Sequence, residues 1–206
     1  MTPRMQRLFE RWQNCTRCRL HATRTCYVHG RGNDVDPLIL FVGEAPGREE
    51  DASGVPFCGK AGRLLRTAFE AAELIANPRW FITNTVGDWP PGNRVPKPDE
   101  IRACRPRLRK ILRALPTVRF VMTLGKTAGQ AVLPGFGDGM IVNRGKVWQC
   151  ITIGKRIVRG AATFHPSYLA RRGGEKAGEP WNRFVGDLRY VLDRAVGEEK
   201  EGVVIQ

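Results

Sequence analysis

One stretch of the sequence, GEAPGREEDASGVPFCGKAG at residues 43–62, combines residue types that suit chemistry on a bound molecule. It holds five glycines, two prolines and four carboxylates, and it directly follows the apolar run LILFV. Glycine lets a backbone approach another group closely because it has no Cβ atom. Glu44 and Glu50 are the carboxylates of interest, although a carboxylate pair in a loop is more often only solvated. The stretch therefore favours a binding site but does not by itself define a reaction.

Three further side chains have positions that suit contact with a ligand. Phe57 lies in the same glycine-rich loop, outside any apolar stripe of a core helix or strand. Asn84 ends a predicted strand, and its amide both donates and accepts hydrogen bonds, although an isolated asparagine there could simply cap a turn. His165, the only one of three histidines that stands in a motif, follows another predicted strand. An isolated histidine could equally be a core or surface residue.

The first two of six cysteines form a CxxC motif, Cys15-Thr-Arg-Cys18. No apolar signal-peptide core precedes them, so we expect reduced thiols. A redox CxxC of the thioredoxin type would follow a strand and open a helix, whereas this one follows a short amphipathic helix. Ligation of a metal or a cluster is therefore the better interpretation, provided that further ligands exist elsewhere in the chain.

The composition points to a polyanionic partner. The 206 residues include 34 Lys and Arg against 20 Asp and Glu, which gives a formal net charge of +14. Such an excess repels itself in the folded state, so nucleic acid is the first candidate partner and an anionic membrane the second. No apolar run approaches the ~18 residues of a membrane span. We expect a cytoplasmic or nucleoid-associated protein that is neither secreted nor held in a membrane.

Apolar periodicity predicts strands that alternate with helices. Strands are predicted at 38–42, 79–86 and 118–124, with a hairpin or strand pair at 147–153 and 156–163 around Gly154-Lys155. Helices are predicted at 61–72, 98–115, 127–133 and 180–195.

This alternation predicts an α/β fold, a three-layer α/β/α sandwich with a central, mostly parallel four-stranded sheet. We expect one domain at 1–197 and a charged C-terminal tail at 198–206. Ligands of such folds bind outside the carboxyl ends of the strands. The loops that begin at Gly43, Asn84 and His165 leave those ends.

Four segments together resemble the family-4 uracil-DNA glycosylases. They are the glycine-rich stretch at 43–62, PPGNR at 90–94 with the later CRP at 104–106, FHPSYL at 164–169, and CTRCRL at 15–20. The resemblance runs in the family's order from about Cys15 to Leu192. It implies a compact α/β/α fold, hydrolysis of the bond between uracil and deoxyribose at the start of base excision repair and, in many members, a [4Fe-4S] cluster.

The resemblance also implies roles in a pocket that receives a uracil flipped out of DNA. Phe57 would stack under the base, and Asn84 would read its edge. His165 would donate a hydrogen bond to the uracil anion at O2.

The acids and the motif backbone complete the implied pocket. Glu44 would lie near the sugar and the attacking water, and Asn93 is linked to catalysis in the family. Glu50 would lie beside C5 of the base, where it could disfavour the methyl group of thymine. Further substrate contacts are implied for Gly43, Ala45, Pro46 and Gly47.

The segment after His165 would enter the DNA, with Leu169 as the wedge and with Arg171 and Arg172 on phosphates. The DNA-facing residues implied in this way are Ser167, Tyr168, Leu169, Arg171 and Arg172. We expect a monomer that acts on uracil-containing DNA, single- or double-stranded.

The cluster site departs from the family pattern. Three of the family's four cysteine ligands match Cys15, Cys18 and Cys104, but the fourth position is Asp88. We expect a [4Fe-4S] cluster with Asp88 as the fourth ligand. Cys26 as a substitute ligand, a three-iron cluster, a zinc ion or a vestigial site are the alternatives.

Two other function classes compete with the glycosylase. One is a relative that binds uracil-DNA without turnover, but the type that becomes covalently attached carries a basic insertion that the short PPGNRVPKPDE segment lacks. The other is a non-catalytic or polymerase-associated nucleic-acid-binding module on the same fold. Such a module would not need Phe57, Asn84 and His165 together.

Overall fold

The computed structural model describes residues 1–76, 78–140, 148–153 and 156–200. Its strands are β1 (Gly30–Gly32), β2 (Ile39–Gly43), β3 (Trp80–Asn84), β4 (Phe120–Leu124), β5 (Trp148–Ile153) and β6 (Arg156–Thr163). They form one six-stranded sheet in the order β1-β3-β2-β4-β6-β5. The helices are α1 (Pro3–Gln13), α2 (Arg48–Ser53), α3 (Lys60–Ala71), α4 (Pro98–Ala114), α5 (Lys126–Val132), α6 (Pro166–Arg171) and α7 (Glu179–Lys200).

The centre of the sheet is parallel. Strands β3, β2, β4 and β6 pair in parallel, as the alternation of strands and helices predicts. The predicted four-stranded sheet corresponds to this centre, and two antiparallel edge strands, β1 and β5, extend it to six. The predicted pairing of β5 with β6 is confirmed, while the turn at Gly154-Lys155 lies outside the described residues.

Alternate side chains of β2 enter two separate hydrophobic cores. Ile39 and Phe41 pack on the face covered by α3 and α7. Leu40 and Val42 pack on the opposite face, which α1 and α4 cover. Every residue of β2 is buried because both faces of the sheet carry helices. The predicted three-layer α/β/α sandwich is therefore confirmed.

Helix α4 runs through Pro106, which falls inside its predicted span of 98–115. One helix differs in detail from its prediction. Helix α7 extends beyond the predicted end at residue 195 and reaches Lys200. Within the described residues, no helix has the length and apolarity that crossing a membrane requires.

The parallel strands bring the loops of interest to one edge. Strand β2 ends at Gly43, β3 ends at Asn84, and β6 ends two residues before His165. Because neighbouring parallel strands share a direction, these three ends meet at the same edge of the sheet.

Candidate active site

A cavity of about 320 Å³ lies where β2, β3 and β6 end. Its volume falls in the range of small-molecule sites. The predicted site residues that line it are Glu44, Ala45, Pro46, Gly47, Glu50, Phe57, Asn84, Asn93, His165 and Ser167. Residues from all three predicted loops therefore meet in one space.

Gly43 allows an aromatic ring and an amide to meet beside this cavity. It pairs with Asn84 in the register of β2 and β3. An ideal Cβ on Gly43 would lie 2.4 Å from Asn84 Oδ1 and 2.5 Å from Phe57 Cζ. Any larger residue would have to displace one of these groups, so the position requires glycine.

Two of the predicted site residues have left-handed backbone conformations that non-glycine residues seldom adopt. Phe57 has φ 55° and Asn93 has φ 57°. Arg31 Nη2 donates to the carbonyl of Phe57 at 3.2 Å, and Trp89 Nε1 donates to Asn93 Oδ1 at 2.7 Å. Such strain persists where the surrounding structure imposes it, and it concentrates at functional sites.

Glu50 holds the glycine-rich loop in shape. Its Oε2 accepts from the Gly47 amide at 2.9 Å, and its Oε1 accepts from the Gly59 amide at 2.8 Å. The residue is 9% exposed and stands in the first turn of α2. Both carboxylate oxygens are therefore engaged with backbone, and Glu50 ties the two ends of the loop together.

Glu44 contrasts with Glu50 because its carboxylate has no partner among the described residues. Its backbone carbonyl accepts a hydrogen bond from the Thr85 hydroxyl, which fixes the start of the loop. In the described part of the chain, no group donates to the Glu44 carboxylate, which lines the cavity. Of the two acids, Glu44 is the one available to a water molecule.

His165 is a neutral hydrogen-bond donor toward the cavity. Its Nδ1 caps α6 by accepting from the Ser167 amide at 3.1 Å. This contact assigns the proton of the neutral ring to Nε2. Burial and, to a smaller extent, the charge of Arg171 together lower the pKa of His165 to about 4. The imidazole is therefore uncharged at neutral pH.

The prediction that Leu169 is a wedge is wrong. Leu169 is 0% exposed and belongs to the main core, because its position on the short helix α6 turns it inward. Tyr168 is partly buried, stacks on Phe164 with ring centroids 5.1 Å apart, and carries the Arg172 guanidinium 4.7 Å from its ring. Arg171 and Arg172 are exposed, as contacts with phosphates require.

The predicted cluster ligands lie in one region. Cys18 Sγ lies 4.0 Å from Asp88 Oδ2, and Cys104 is 2% exposed beneath them. Arg24 Nη1 lies 2.9 Å from Asp88 Oδ1 and donates to the Cys15 carbonyl at 2.7 Å. Over the described ranges, no three His, Cys, Asp or Glu side chains are spaced to hold a metal ion. Cys18 lies beside both Asp88 and Cys104, and one oxygen of Asp88 is paired with Arg24.

Buried hydrogen-bond donors without a partner, here called orphaned donors, test whether the surroundings of these cysteines fit a cluster. Among the described residues, the buried atoms Trp12 Nε1, Tyr27 Oη and Arg107 Nε have no hydrogen-bond partner. The Cys15 amide donates to the Trp12 carbonyl at 3.0 Å, and Arg107 follows Cys104 by one turn of α4. Burial raises the pKa of Tyr27, and the nearby Cys104 raises it further. Because a sulfur-rich anionic cluster would accept from such donors, the surroundings fit it.

The residues around Asp88, which stands where the family pattern has a fourth cysteine, have contacts of their own. An ideal Cβ on Gly87, which precedes Asp88, would lie 2.3 Å from Tyr27 Cζ, so the Tyr27 ring requires glycine there. Arg24 lies over the same ring at 5.3 Å. Cys26 instead donates to the Ala52 carbonyl at 3.9 Å, against α2. Asp88 therefore lies beside Cys18, whereas Cys26 is directed toward α2.

The cysteine region and the cavity share a wall. Ala45 lines the cavity and packs against the hydrophobic cluster of Leu20, Val86 and Cys104. The CxxC segment and the residues of the cavity are far apart in the sequence. The structure brings them into contact through one residue.

Sequence reasoning missed several residues at this edge. Arg94 pairs with the fully buried Glu100 through Nη2–Oε1 at 2.7 Å and Nη1–Oε2 at 2.8 Å. Glu100 also accepts from the Lys97 amide at 2.7 Å, so the loop after β3 is tied to α4. The acidic first turn of α4 was the available signal. Arg48 and Lys60 line the cavity, and nothing in their spacing indicates it.

Comparison with known proteins identifies the family. A family model for the Uracil DNA glycosylase superfamily matches residues 29–189. The type-4 uracil-DNA glycosylase of Archaeoglobus fulgidus is 39% identical over 163 residues, which cover 77% of this chain and 79% of that protein. The type-4 enzyme of Thermotoga maritima is 41% identical over 174 residues, covering 81% and 83% of the two chains. That of Pyrobaculum aerophilum is 34% identical over 171 residues, covering 82% and 85%. The chain therefore belongs to the uracil-DNA glycosylase superfamily and, within it, to the type-4 family.

Proposed function

We propose that this chain removes uracil from DNA by hydrolysing the N-glycosidic bond, which initiates base excision repair. The observation that carries the proposal is a single cavity that joins a ring, an amide and a neutral imidazole donor: Phe57, Asn84 and His165. Membership of the superfamily supports the same reaction. A base inside a duplex cannot reach such a cavity, so the nucleotide must flip out of the stack.

Recognition of uracil rests on the ring and the amide. Phe57 is 7% exposed and held in its strained conformation, so it offers a rigid stacking surface. Asn84 is 3% exposed, and its amide supplies one donor group and one acceptor to a base edge that presents both. Cytosine presents a different pattern and would leave a buried polar group unpaired.

Departure of uracil places negative charge on the base. The Nε2–H of His165 stabilises this charge at O2 as a neutral donor that needs no proton transfer. Its orientation is fixed in advance by the cap that Nδ1 forms on α6. This preorganisation lowers the cost of reorganising the site in the transition state.

The sugar becomes oxocarbenium-like and is attacked by water. The carboxylate of Glu44, which no described group pairs with, is the group that orients this water and stabilises the sugar. Asn93 assists from the loop after β3, in the conformation that Trp89 maintains. Glu50 forms a fixed wall that disfavours the thymine methyl group, since its carboxylate cannot swing away from Gly47 and Gly59.

The surrounding cations would hold the DNA backbone. Arg171 and Arg172 are exposed beside the cavity, and Arg48 and Lys60 line it. Together with Ser167 they supply phosphate contacts that carry no sequence information. The chain would act as a monomer on single- or double-stranded DNA that contains uracil.

Cys15, Cys18, Cys104 and Asp88 would hold a [4Fe-4S] cluster. The orphaned donors around these residues support this assignment. When bound, the cluster supplies a structural cross-link between the CxxC segment, the loop after β3 and α4.

A cluster of this kind makes Cys104→Ala a sharp test. We expect this variant to lose iron and to melt at a lower temperature than the wild type, because one thiolate holds α4 to the site. Iron analysis and thermal melting measure both, with Cys26→Ala as the control that keeps iron. Full iron content with an unchanged melting curve in Cys104→Ala would rule out this ligand.

The proposed reaction is tested with an oligonucleotide that contains one uracil. The protein is incubated with it, alkali is added, and strand scission is scored for the wild type and for His165→Ala. A thymine oligonucleotide is the control. We expect scission that depends on uracil and weakens in the variant. Retained DNA binding without scission would instead indicate a non-catalytic nucleic-acid-binding module.

A further inference from the structure

Arg107 is a buried cation that contacts the residue proposed to read uracil. It lies on α4 and is 1% exposed, and none of the described carboxylates pairs with it. Its Nη1 donates to the Thr83 hydroxyl at 3.0 Å and to the His29 carbonyl at 3.2 Å. Its Nη2 donates to the carbonyl of Asn84. All these acceptors are neutral, and two of them belong to the last two residues of β3.

Burying this charge needs an explanation. A buried cation without a paired acid is costly, and an apolar side chain of similar length would fill the space at lower cost. Arg156 provides a contrast, because it donates to the carbonyls of Leu112, Leu115 and Val118 at the C-terminal end of α4. A cation is favoured there by the helix dipole. No helix end explains the two Nη groups of Arg107, whose acceptors lie at a strand end. Only its Nε, which has no partner among the described residues, is left for the proposed cluster.

The position of these acceptors at the end of β3 indicates the role of Arg107. Asn84 is the last residue of β3, so the strand pairing that aligns the backbone stops there. Its carbonyl is held by Arg107, while its side chain lines the cavity. Displacing a recognition group by about 1 Å can cost two orders of magnitude in rate. A contact that fixes the backbone of Asn84 therefore fixes the amide.

We propose that Arg107 is a positioning residue for uracil recognition, which holds the end of β3 so that the Asn84 amide meets the base edge. The inference rests on the proposed function. Arg107 does not touch the substrate and acts through Thr83 and Asn84. Helix α4 also carries Cys104 one turn earlier, so the same helix links the cysteine region to the recognition amide.

The test compares Arg107→Met, Arg107→Lys and the control Arg156→Met in uracil excision and in thermal melting. Methionine keeps an unbranched apolar stem and removes the donors, whereas lysine keeps the charge and part of the donor capacity. Rates are measured where every variant is folded. We expect kcat/KM of Arg107→Met to fall about tenfold or more, as for a hydrogen bond to a charged group. Arg107→Lys should recover part of this loss. Arg156→Met should melt at a lower temperature than the wild type but keep the wild-type kcat/KM.

Each outcome bears on one claim. A wild-type protein that releases no uracil defeats the proposed function itself. An active wild type with equal kcat/KM in Arg107→Met and Arg156→Met overturns the positioning role alone. Should Arg107→Met fail to fold, Thr83→Val carries the test, because it removes one acceptor of the guanidinium and keeps a branched side chain. Wild-type kcat/KM in Thr83→Val would then overturn the inference.

Discussion

His165 has two ring nitrogens, and the described contacts use one of them. Nδ1 accepts from the Ser167 amide at 3.1 Å, which leaves the Nε2 proton for a ligand. A charged imidazolium would have to be buried beside Arg171, and both burial and that charge oppose it. The proposed reaction therefore uses a neutral donor, whose strength comes from its fixed position.

The pH profile of excision tests this state. Since the pKa of His165 is lowered to about 4, kcat/KM should show no ionisation of His165 between about pH 5 and 8. His165→Ala should lower kcat/KM about 10²–10³-fold across this range, as loss of one preorganised donor does. Single-turnover rates of both proteins measure this. An alkaline limb near pH 6.5 that disappears in the variant would show that the active form is a protonated histidine instead.

Gly43→Ala tests the close approach of ring and amide. The added methyl group would lie 2.4 Å from Asn84 Oδ1 and 2.5 Å from Phe57 Cζ, so one of them must move. We expect kcat/KM to fall about tenfold or more, because a small displacement at the reacting centre is costly. Gly186→Ala on α7 is the control, since its Cβ would meet no atom within 4 Å. Wild-type excision by Gly43→Ala would refute this account of the cavity.

At the same scale, residue type predicted which residues line the cavity better than it predicted what those residues contact. Phe57, Asn84 and His165 meet in the cavity as predicted, because each belongs to a segment that leaves the carboxyl end of a strand that the apolar pattern identifies. Leu169 was misassigned because one turn of a short helix decides whether a side chain faces the core or the solvent. The two backbone contacts of Glu50 depend on how a 20-residue loop folds back, which local sequence does not specify.

At the scale of elements, the loop between β2 and α3 owes its shape to Glu50. The carboxylate accepts from two amides, those of the partly buried Gly47 and the buried Gly59, which would otherwise lose these partners. Helix α2 presents this side chain from its first turn, where a negative charge is also favoured. The loop carries Glu44 at its start and Phe57 near its end, so its shape determines the positions of both residues.

We therefore expect Glu50→Ala to destabilise the protein by about 1–3 kcal/mol, the cost of leaving buried groups unpaired. Glu49→Ala is the matched control, because Glu49 is an exposed neighbour whose ion pair with Arg63 spans 3.5 Å. Its loss should change the free energy of unfolding by less than about 1 kcal/mol. Urea titrations of the three proteins measure the difference. Equal free energies of unfolding for the two variants would show that Glu50 does not hold this loop in shape.

The elements themselves were predictable to different degrees. The parallel strands were identified because burial on both faces makes them continuous apolar runs, as in ILFVG of β2. Strand β1, the sequence GRG, carries no such signal, since it pairs only along one edge with β3. Arg107 gave no signal at all, because a buried arginine and a surface arginine look alike in a sequence rich in basic residues.

At the scale of the whole molecule, two partly buried histidines couple folding to pH. His29 stacks on Phe9 with ring centroids 4.3 Å apart. Burial, together with the charges of Arg107 and Arg24, lowers its pKa to about 4. His165 has a similarly lowered pKa of about 4. Both are neutral in the folded protein at pH values where the unfolded chain begins to bind protons.

The two histidines should make the protein less stable as the pH falls below about 6.5. Above about pH 6.5 both states are neutral at these histidines, so their contribution does not vary with pH. As the pH falls from about 6.5 to about 4, the unfolded chain takes up a proton at each one, and the free energy of unfolding decreases. Denaturant titrations over this range should give a smaller decrease for His29→Phe, which keeps a ring and cannot titrate. An equal decrease in the two proteins would argue that His29 is not buried in its neutral form.

The most direct measurement is mass spectrometry of the products after incubation with an oligonucleotide that contains one uracil. The account predicts free uracil and an intact strand that carries an abasic sugar, with no product from the matching thymine oligonucleotide. An unchanged oligonucleotide that nonetheless binds the protein would contradict the account, and so would a covalent adduct between strand and protein.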